Sequence, residues 1–245
     1  MATIHFILQG KGGVGKSMVA SMIFQHFMEE NYNVLGYDTD PINKTLSSYK
    51  EFQNVKQIDI LQDDGDNIDS RKFDLLYEEL YDAPEENTHI IIDNGASSFI
   101  ALGAYIRDND MLEQLEQRHT VYLHTIITGG QALYDTLSGL ASLAKNFPTG
   151  NIVTWLNPYF GKIGTDNSPT FYDLNVYRDF GKNIKSVIEL PLGNKDLIGK
   201  DLELLFAKKQ SFQAGINGSN PIAVKSRLKK YWAEIKSRID NACIY

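Results

Sequence analysis

The chain has 245 residues, enough to bury one substantial core, so we expect a single α/β domain covering 1–245. Its 42% hydrophobic and 22% charged residues are typical of a globular protein and exclude a disordered or fibrous class. The only cysteine, Cys243, excludes an intrachain disulfide and a cysteine-ligated metal cluster within one protomer. A reducing cytoplasm fits this composition, and no apolar stretch is long enough to predict a membrane span.

The net charge of −7 is unevenly distributed along the chain. Residues 59–86 hold eleven acids against only Arg71 and Lys72, a local balance of −9. Such a run predicts a solvated acidic surface, with a partner-docking face as the alternative.

Short apolar runs alternate with segments of helical periodicity from the N-terminus onward. The predicted strands are 3–8, 33–37, 89–92, 120–127, 152–156 and 186–190, and the predicted helices include 16–30, 73–81, 98–116, 131–146 and an amphipathic C-terminal helix at about 221–239. We interpret 157–169 and 213–221 as loops. The alternation predicts an α/β fold with a mainly parallel, twisted sheet and helices on both faces.

A glycine-rich segment separates the first predicted strand from the first predicted helix. It reads Gly-Lys-Gly-Gly-Val-Gly-Lys-Ser and satisfies the phosphate-loop pattern G-x-x-x-x-G-K-[ST]. Glycines let backbone N–H groups turn toward phosphates, and the following helix N-terminus favours the same anion. We therefore predict a P-loop NTPase that binds ATP and Mg²⁺, with Lys16 on the β and γ phosphates and the Ser17 hydroxyl on the metal. The predicted nucleotide contacts are Gly10, Lys11, Gly12, Gly13, Val14, Gly15, Lys16, Ser17 and Met18.

A second lysine, Lys11, stands at the front of this loop, and the segment resembles the deviant Walker A box of the ParA/MinD family. The resemblance implies that Lys11 reaches the nucleotide of a second protomer, so that two subunits enclose two ATP molecules. ATP would then control homodimerisation. The alternative is a solvated loop lysine.

Carboxylates follow two of the predicted strands. Asp38-Thr39-Asp40-Pro41-Ile42-Asn43 is similar to the family's D-x-D-P-x-x-N segment, although the asparagine follows the proline by only two positions. The resemblance assigns Asp40 to orienting the attacking water and Asp38 to the magnesium sphere, and helix capping is the alternative. Asp93 ends an apolar run in the Walker B pattern, and we expect it to hold Mg²⁺ through a water.

Two later strand ends are expected to enclose the base. The resemblance places Asn157 on the adenine edge, where an amide can both donate and accept. We expect the strand end Glu189-Leu190-Pro191-Leu192, with Pro191 as the contact residue, to close the other side. Trp155 and Tyr159 are candidates for stacking on the base, with core packing as the alternative.

Segments spread along nearly the whole chain look like TraL-type nucleotide-binding proteins of conjugative transfer regions. They are Ile4-His5, Leu8-Gln9, Asp93-Asn94-Gly95-Ala96-Ser97-Ser98-Phe99, Thr128-Gly129-Gly130-Gln131-Ala132-Leu133, Trp155-Leu156-Asn157-Pro158-Tyr159 and Gly199-Lys200-Asp201-Leu202. The resemblance implies a slow, partner-stimulated ATPase that acts in conjugal DNA transfer, on the relaxosome or on its delivery to the secretion channel.

A plasmid partition ATPase that binds DNA nonspecifically is the main rival. The last predicted helix has a local charge of +4, from Lys225, Arg227, Lys229, Lys230, Lys236 and Arg238 against Glu234 and Asp240. The same helix has apolar residues at helical spacing, which is more typical of packing than of recognition or of a membrane anchor. The lone cysteine excludes most iron–sulfur relatives, and the five histidines lack metal-ligand spacing.

Overall fold

The computed structural model describes residues 1–63, 65, 67–84 and 86–245, so Asp64, Asp66 and Glu85 of the acidic segment lie outside the described residues. Within the described residues, one sheet contains seven strands in the order β3-β2-β4-β1-β5-β6-β7, and every neighbouring pair is parallel. The strands are β1 (Thr3–Ile7), β2 (Asn33–Asp38), β3 (Val55–Gln57), β4 (Thr88–Asp93), β5 (Thr120–Thr128), β6 (Asn151–Asn157) and β7 (Ile184–Glu189).

Helices cover both faces of this sheet. They are α1 (Lys16–Glu29), α2 (Phe73–Tyr81), α3 (Phe99–Asp108), α4 (Met111–Glu116), α5 (Leu133–Asn146), α6 (Asn175–Phe180), α7 (Lys200–Ala207), α8 (Phe212–Asn217) and α9 (Ile222–Ala242). Apolar side chains of α2 to α6 pack in one core, and those of α1 and α7 to α9 pack in a second core on the opposite face. The predicted α/β fold with a parallel sheet and helices on both faces is confirmed.

Two sequence predictions about individual elements were wrong, and one strand was missed. The segment 98–116 forms two helices, because Asp110 adopts a left-handed conformation (φ 50°) and the Asn109 side chain donates to the Tyr105 carbonyl, which ends α3. The predicted loop 213–221 contains most of α8, which begins because the Ser211 hydroxyl accepts from the Ala214 N–H at 3.0 Å. The short edge strand β3 was not predicted, since only three residues pair there.

The predicted C-terminal amphipathic helix is present as α9. Its apolar face is buried in the second core, with Leu228, Trp232, Ile235 and Ile239 at most 2% exposed. Because this face packs on the sheet side, it is not displayed to a membrane surface. Among the described residues, no helix combines the length and apolar character needed to cross a bilayer.

A row of buried imidazoles crosses the central strands on the α1 face. The Trp155 indole N–H donates to His124 Nδ1 at 2.9 Å, His124 Nε2 lies 3.0 Å from His5 Nδ1, and His5 Nε2 lies 3.1 Å from His89 Nδ1. Since the indole nitrogen only donates, His124 must accept at Nδ1, and each neutral ring then carries its proton on Nε2. Burial holds the pKa of His5 well below 6.5 and lowers the pKa of His89 and of His124 to about 3, so all three rings are neutral at pH 7.

Candidate nucleotide-binding site

The glycine-rich loop lies after β1, at the centre of the carboxyl edge of the sheet, where ligands of open α/β sheets bind. Gly13 and Gly15 adopt φ values of 74° and 106°, which disfavour any side chain. A Cβ on Gly15 would also lie 3.1 Å from Met18 Cε and 3.3 Å from Asn157 Nδ2. The glycines therefore let the loop curl tightly over the first turn of α1.

Lys16, the first residue of α1, is only 8% exposed. Its Nζ donates to the Lys11 carbonyl at 3.1 Å across the loop. Burial lowers the pKa of Lys16, and the nearby charges of Asp93 and Asp40 oppose this shift. The buried ammonium is thus held inside the loop, where it can pair with an anion.

Asp93 is the last residue of β4 and lies beside Asp38 of β2 and Ile7 of β1. It is 1% exposed, and neither carboxylate oxygen has a hydrogen bond of ordinary geometry from a described residue, although the Ser17 hydroxyl lies near. Burial raises the pKa of Asp93 to about 7, while the adjacent Ser17 hydroxyl opposes the shift. A buried carboxylate without a donor is unfavourable unless a cation accompanies it, so this oxygen pair fits Mg²⁺.

The described residues contain no group of three or more His, Cys, Asp or Glu side chains placed to hold a metal by themselves. Mg²⁺ commonly keeps several waters and shares its sphere with substrate phosphates. Ser17 and Asp93 would supply protein oxygens here, and nucleotide phosphates and water would supply the rest.

Asp38 and Asp40 organise the loop that follows β2. Asp38 Oδ2 accepts from the N–H and the hydroxyl of Ser47, both at 3.0 Å, and Asp38 Oδ1 accepts from the Asp40 N–H at 3.2 Å. Asp40 Oδ1 accepts from the N–H groups of Ile42 and Asn43 at 2.9 and 3.0 Å. These bonds hold Asp40 at the cleft, and they leave the magnesium role of Asp38 a prediction.

One cleft brings the predicted phosphate and hydrolysis residues together. Lys16, Ser17 and Asp40 line it, with Asn43 and Ser97 at its sides. Gly95 lies directly under Asp40, since a Cβ on this glycine would be 2.8 Å from Asp40 Cγ. The segment after β4 therefore supports the carboxylate expected to orient water.

An apolar cavity of about 260 Å³ adjoins the loop on the β6 side. The predicted residues Met18, Asn157 and Pro191 all line it. Both ends of the Asn157 amide are engaged within the protein, because Nδ2 donates to the Val14 carbonyl at 3.0 Å and Oδ1 accepts from the Tyr159 N–H at 3.2 Å. Asn157 thus braces the loop, and reading of the base edge by this side chain stays a prediction.

Aromatic and aliphatic side chains missed by the sequence reasoning complete the cavity. They are Ile198, Leu202, Phe206 and Tyr231, whereas Leu190 and Leu192 of the predicted segment 189–192 line the cavity as expected. Tyr159 lines it as expected, whereas Trp155 is fully buried and donates to His124, so Trp155 belongs to the core. Apolar residues on α7, on α9 and in the turn before α7 carry no local signal that separates a pocket wall from ordinary packing.

Gln9 connects the loop to α5 and was not predicted as a site residue. Its Nε2 donates to the carbonyls of Ile126 and Thr136 at 3.0 and 3.2 Å, and its Oε1 accepts from the Lys11 N–H at 3.3 Å. Gly139 permits this approach, since a Cβ there would lie 2.2 Å from Gln9 Oε1. The Lys11 side chain extends to Asp135 of α5, with Nζ 2.8 Å from Oδ2.

The relatives of this chain are consistent with this geometry. Residues 5–229 match the model of the CobQ/CobB/MinD/ParA nucleotide binding domain. Two proteins named TraL from Escherichia coli are 39% and 38% identical to the chain, each over 247 residues that cover 100% of both sequences.

Solved structures share the fold at low identity. MinD from Aquifex aeolicus has a TM-score of 0.55 at 12% identity, with 98% of this chain and 97% of that chain covered. MinD from Pyrococcus horikoshii, complexed with Mg-ADP, has a TM-score of 0.54 at 14% identity, with 98% and 96% covered. A plasmid partition protein from Borrelia burgdorferi, bound to AMPPNP, has a TM-score of 0.53 at 15% identity, with 98% and 99% covered. The chain belongs to the CobQ/CobB/MinD/ParA family of nucleotide-binding domains and, within it, to the TraL-type proteins.

Proposed function

We propose that this protein is an ATP-binding and ATP-hydrolysing switch that dimerises with ATP and Mg²⁺ and acts in conjugative plasmid DNA transfer. The observation that carries the nucleotide part is the buried carboxylate of Asp93, which lacks a well-formed hydrogen bond from any described residue and lies beside the loop residues Lys16 and Ser17. The full-length similarity to TraL and the resemblance of its motifs to conjugal transfer proteins support the transfer part.

The residues divide the chemistry among them. Lys16 neutralises the β and γ phosphates, and Ser17 with Asp93 holds Mg²⁺, which offsets the charge developing on the transferred phosphoryl group. Asp40 accepts the N–H groups of Ile42 and Asn43 at Oδ1, which leaves Oδ2 to accept from the attacking water. Hydrolysis by this arrangement is slow, because the described cleft is open until a second subunit covers it.

Exposed apolar side chains around the cleft support a second copy as its cover. Ile42, Ile100, Tyr134, Phe160 and Leu192 are between 50% and 79% exposed. Each follows the carboxyl end of a different strand, so all five lie on the same edge of the sheet as the phosphate loop. Apolar groups gathered at one edge favour a protein interface, and we expect Lys11 at this edge to enter the facing subunit in the dimer.

Direct DNA binding by α9, the partition-type alternative, is less well supported. Three of its six basic residues are paired within the protein: Arg227 with Asp201 at 2.6 Å, Lys236 with Glu29 at 2.9 Å and Arg238 with Glu234 at 2.6 Å. Lys225, Lys229 and Lys230 remain as candidates for phosphate contacts. Three lysines provide a weak electrostatic footprint on a chain of net charge −7.

Mass in solution tests the switch directly. Asp40→Ala should slow hydrolysis and preserve the ATP state, so light scattering should report a dimer with ATP and Mg²⁺ and a monomer with ADP. Lys11→Ala should stay monomeric with both nucleotides. A monomer of the Asp40 variant under every condition would refute the dimer.

Two further measurements separate the cellular roles. Binding of the ATP dimer to nonspecific duplex DNA, with a steep salt dependence, would favour the partition alternative. Plasmid transfer frequency from donor cells tests the conjugation role, since Lys16→Ala should fail to restore transfer where the wild-type chain restores it. Equal transfer with and without the chain would contradict that role.

A further inference from the structure

The side chain of Lys11 lies back on its own subunit. Its Nζ is 2.8 Å from Oδ2 of Asp135, and the two side chains are 43% and 58% exposed. Asp135 lies in the first turn of α5. Lys11 therefore points toward α5 of the same chain.

The backbone of Lys11 is held independently of this ion pair. Its N–H donates to Gln9 Oε1 and its carbonyl accepts from Lys16 Nζ, while Gln9 donates to the Thr136 carbonyl in the first turn of α5. The loop and α5 are thus fixed to each other. Only the side chain of Lys11 is free to change partner.

The ion pair is built to open. Exposed ion pairs are weak and are screened by salt, so Lys11 can leave without a large penalty. Asp135 keeps a favourable environment afterwards, because an acid in the first turn of a helix interacts with the N-terminal dipole whether or not a lysine is near. When the pair opens, neither charge is left buried without a partner.

We propose that Asp135 is a positioning residue that restrains Lys11 on its own subunit, so that the ATP-dependent dimer forms only after this pair is broken. The inference rests on the proposed function, in which Lys11 crosses to the second protomer. Asp135 then opposes dimerisation without touching the nucleotide, and its removal should strengthen the dimer while ATP binding by the monomer is unchanged.

The test compares Asp135→Asn with wild type and with Glu113→Gln as a charge-matched control. Glu113 is an exposed acid in the first turn of α4, which precedes the amino end of β5 and lies away from the loop edge. The dimer dissociation constant is measured by analytical ultracentrifugation with Mg²⁺ and a non-hydrolysable ATP analogue, at low and at high salt. We expect Asp135→Asn to dimerise roughly two- to fivefold more tightly at low salt, in line with a weak exposed pair, and the control to match wild type.

Because salt screens exposed ion pairs, the difference in dimer dissociation constant between Asp135→Asn and wild type should shrink at high salt. An Asp135→Asn dimer no tighter than the wild-type dimer would overturn the restraint and leave the proposed function intact. A wild-type chain that stays monomeric with the analogue would refute the proposed dimer itself.

A second readout does not depend on dimerisation. The nucleotide-free proteins are treated with an amine-reactive ester, and modification of Lys11 is followed by mass spectrometry. We expect faster modification of Lys11 in Asp135→Asn than in wild type, because the amine is no longer held against the Asp135 carboxylate and is more accessible to the reagent. Equal rates in the two proteins would show that the pair does not form in solution, which also overturns the restraint.

Discussion

The imidazole row makes the stability of this protein depend on pH in a way that one substitution can isolate. His89 ends the row and accepts from His5 Nε2 through its Nδ1 at 3.1 Å. Asparagine places an amide oxygen near the position of Nδ1 and does not titrate, so His89→Asn keeps an acceptor for His5. The variant loses the stack of His89 on Phe27, whose ring centroids are 3.5 Å apart.

The magnitude follows from the pKa difference between the folded and unfolded states. Burial lowers the pKa of folded His89 to about 3, whereas an unfolded histidine titrates near ~6.5. Because the folded pKa is depressed, the stability is fully present above ~6.5 and is lost as the pH falls toward 3. At pH ~5 the unfolded state gains about 2 kcal/mol from protonating this one ring.

The assay is urea unfolding of wild type and His89→Asn at pH 8 and at pH 5, followed by far-ultraviolet circular dichroism. At pH 8 the unfolding free energy of His89→Asn should be about 1–3 kcal/mol lower than that of wild type, because packing is lost. Between pH 8 and pH 5, however, the variant should lose about 2 kcal/mol less unfolding free energy than wild type does. Phe27→Leu disturbs the same stack without removing a titrating group, so it should keep the full wild-type pH dependence.

Comparing the change in unfolding free energy between pH 8 and pH 5 across the variants cancels every contribution that they share. Asp93 makes one such contribution, and its raised pKa acts in the opposite direction. Identical pH losses in wild type and His89→Asn would refute the assignment of a neutral, buried His89. A reduced pH dependence in Phe27→Leu would show that packing, and not titration, is responsible.

Three further predictions concern the nucleotide site. Asp93→Asn should raise the unfolding free energy of the protein without nucleotide at pH 8 by about 2–4 kcal/mol, because burial raises the Asp93 pKa to about 7. This gain should vanish as the pH falls toward 4, and urea unfolding measures it. The same assay should show that Mg-ATP no longer stabilises the variant. Gly15→Ala should abolish nucleotide binding in a fluorescent-ATP titration, because φ is 106° there, whereas Gly103→Ala, with no described atom within 4 Å of its new Cβ, should bind normally. Asn157→Ala should weaken ATP, GTP and tripolyphosphate binding by similar factors in calorimetry, because its amide braces the Val14 carbonyl; a change confined to the ATP/GTP ratio would instead assign it to the base.

Much of the fold was accessible from local patterns. The apolar runs that became β1, β2, β4, β5 and β6 are buried on both faces, so they read as nearly continuous hydrophobic segments. Elements with weaker local signals were less predictable. Asp110 in a left-handed conformation divides one predicted helix, and β3 is too short to show a periodicity.

The phosphate loop and its carboxylates illustrate the same limit within the site. Gly10 to Ser17 encode their own conformation, because glycine backbones and a helix start are local properties. The burial of Asp93 without a well-formed hydrogen bond from a described residue depends on β4 lying between β1 and β2. Spacing along the chain predicts an acid at a strand end but not its surroundings.

The phosphate loop, the parallel α/β class and the family could be predicted from the sequence by itself, because each depends on patterns within short, contiguous segments. Tertiary structure decided which distant side chains meet: Lys11 with Asp135, Asn157 with the Val14 carbonyl 143 residues away, and His5 with His89 and His124. The physical reason is that such contacts depend on strand order, register and helix placement, which arise from packing of the whole chain and leave no pattern in any short segment.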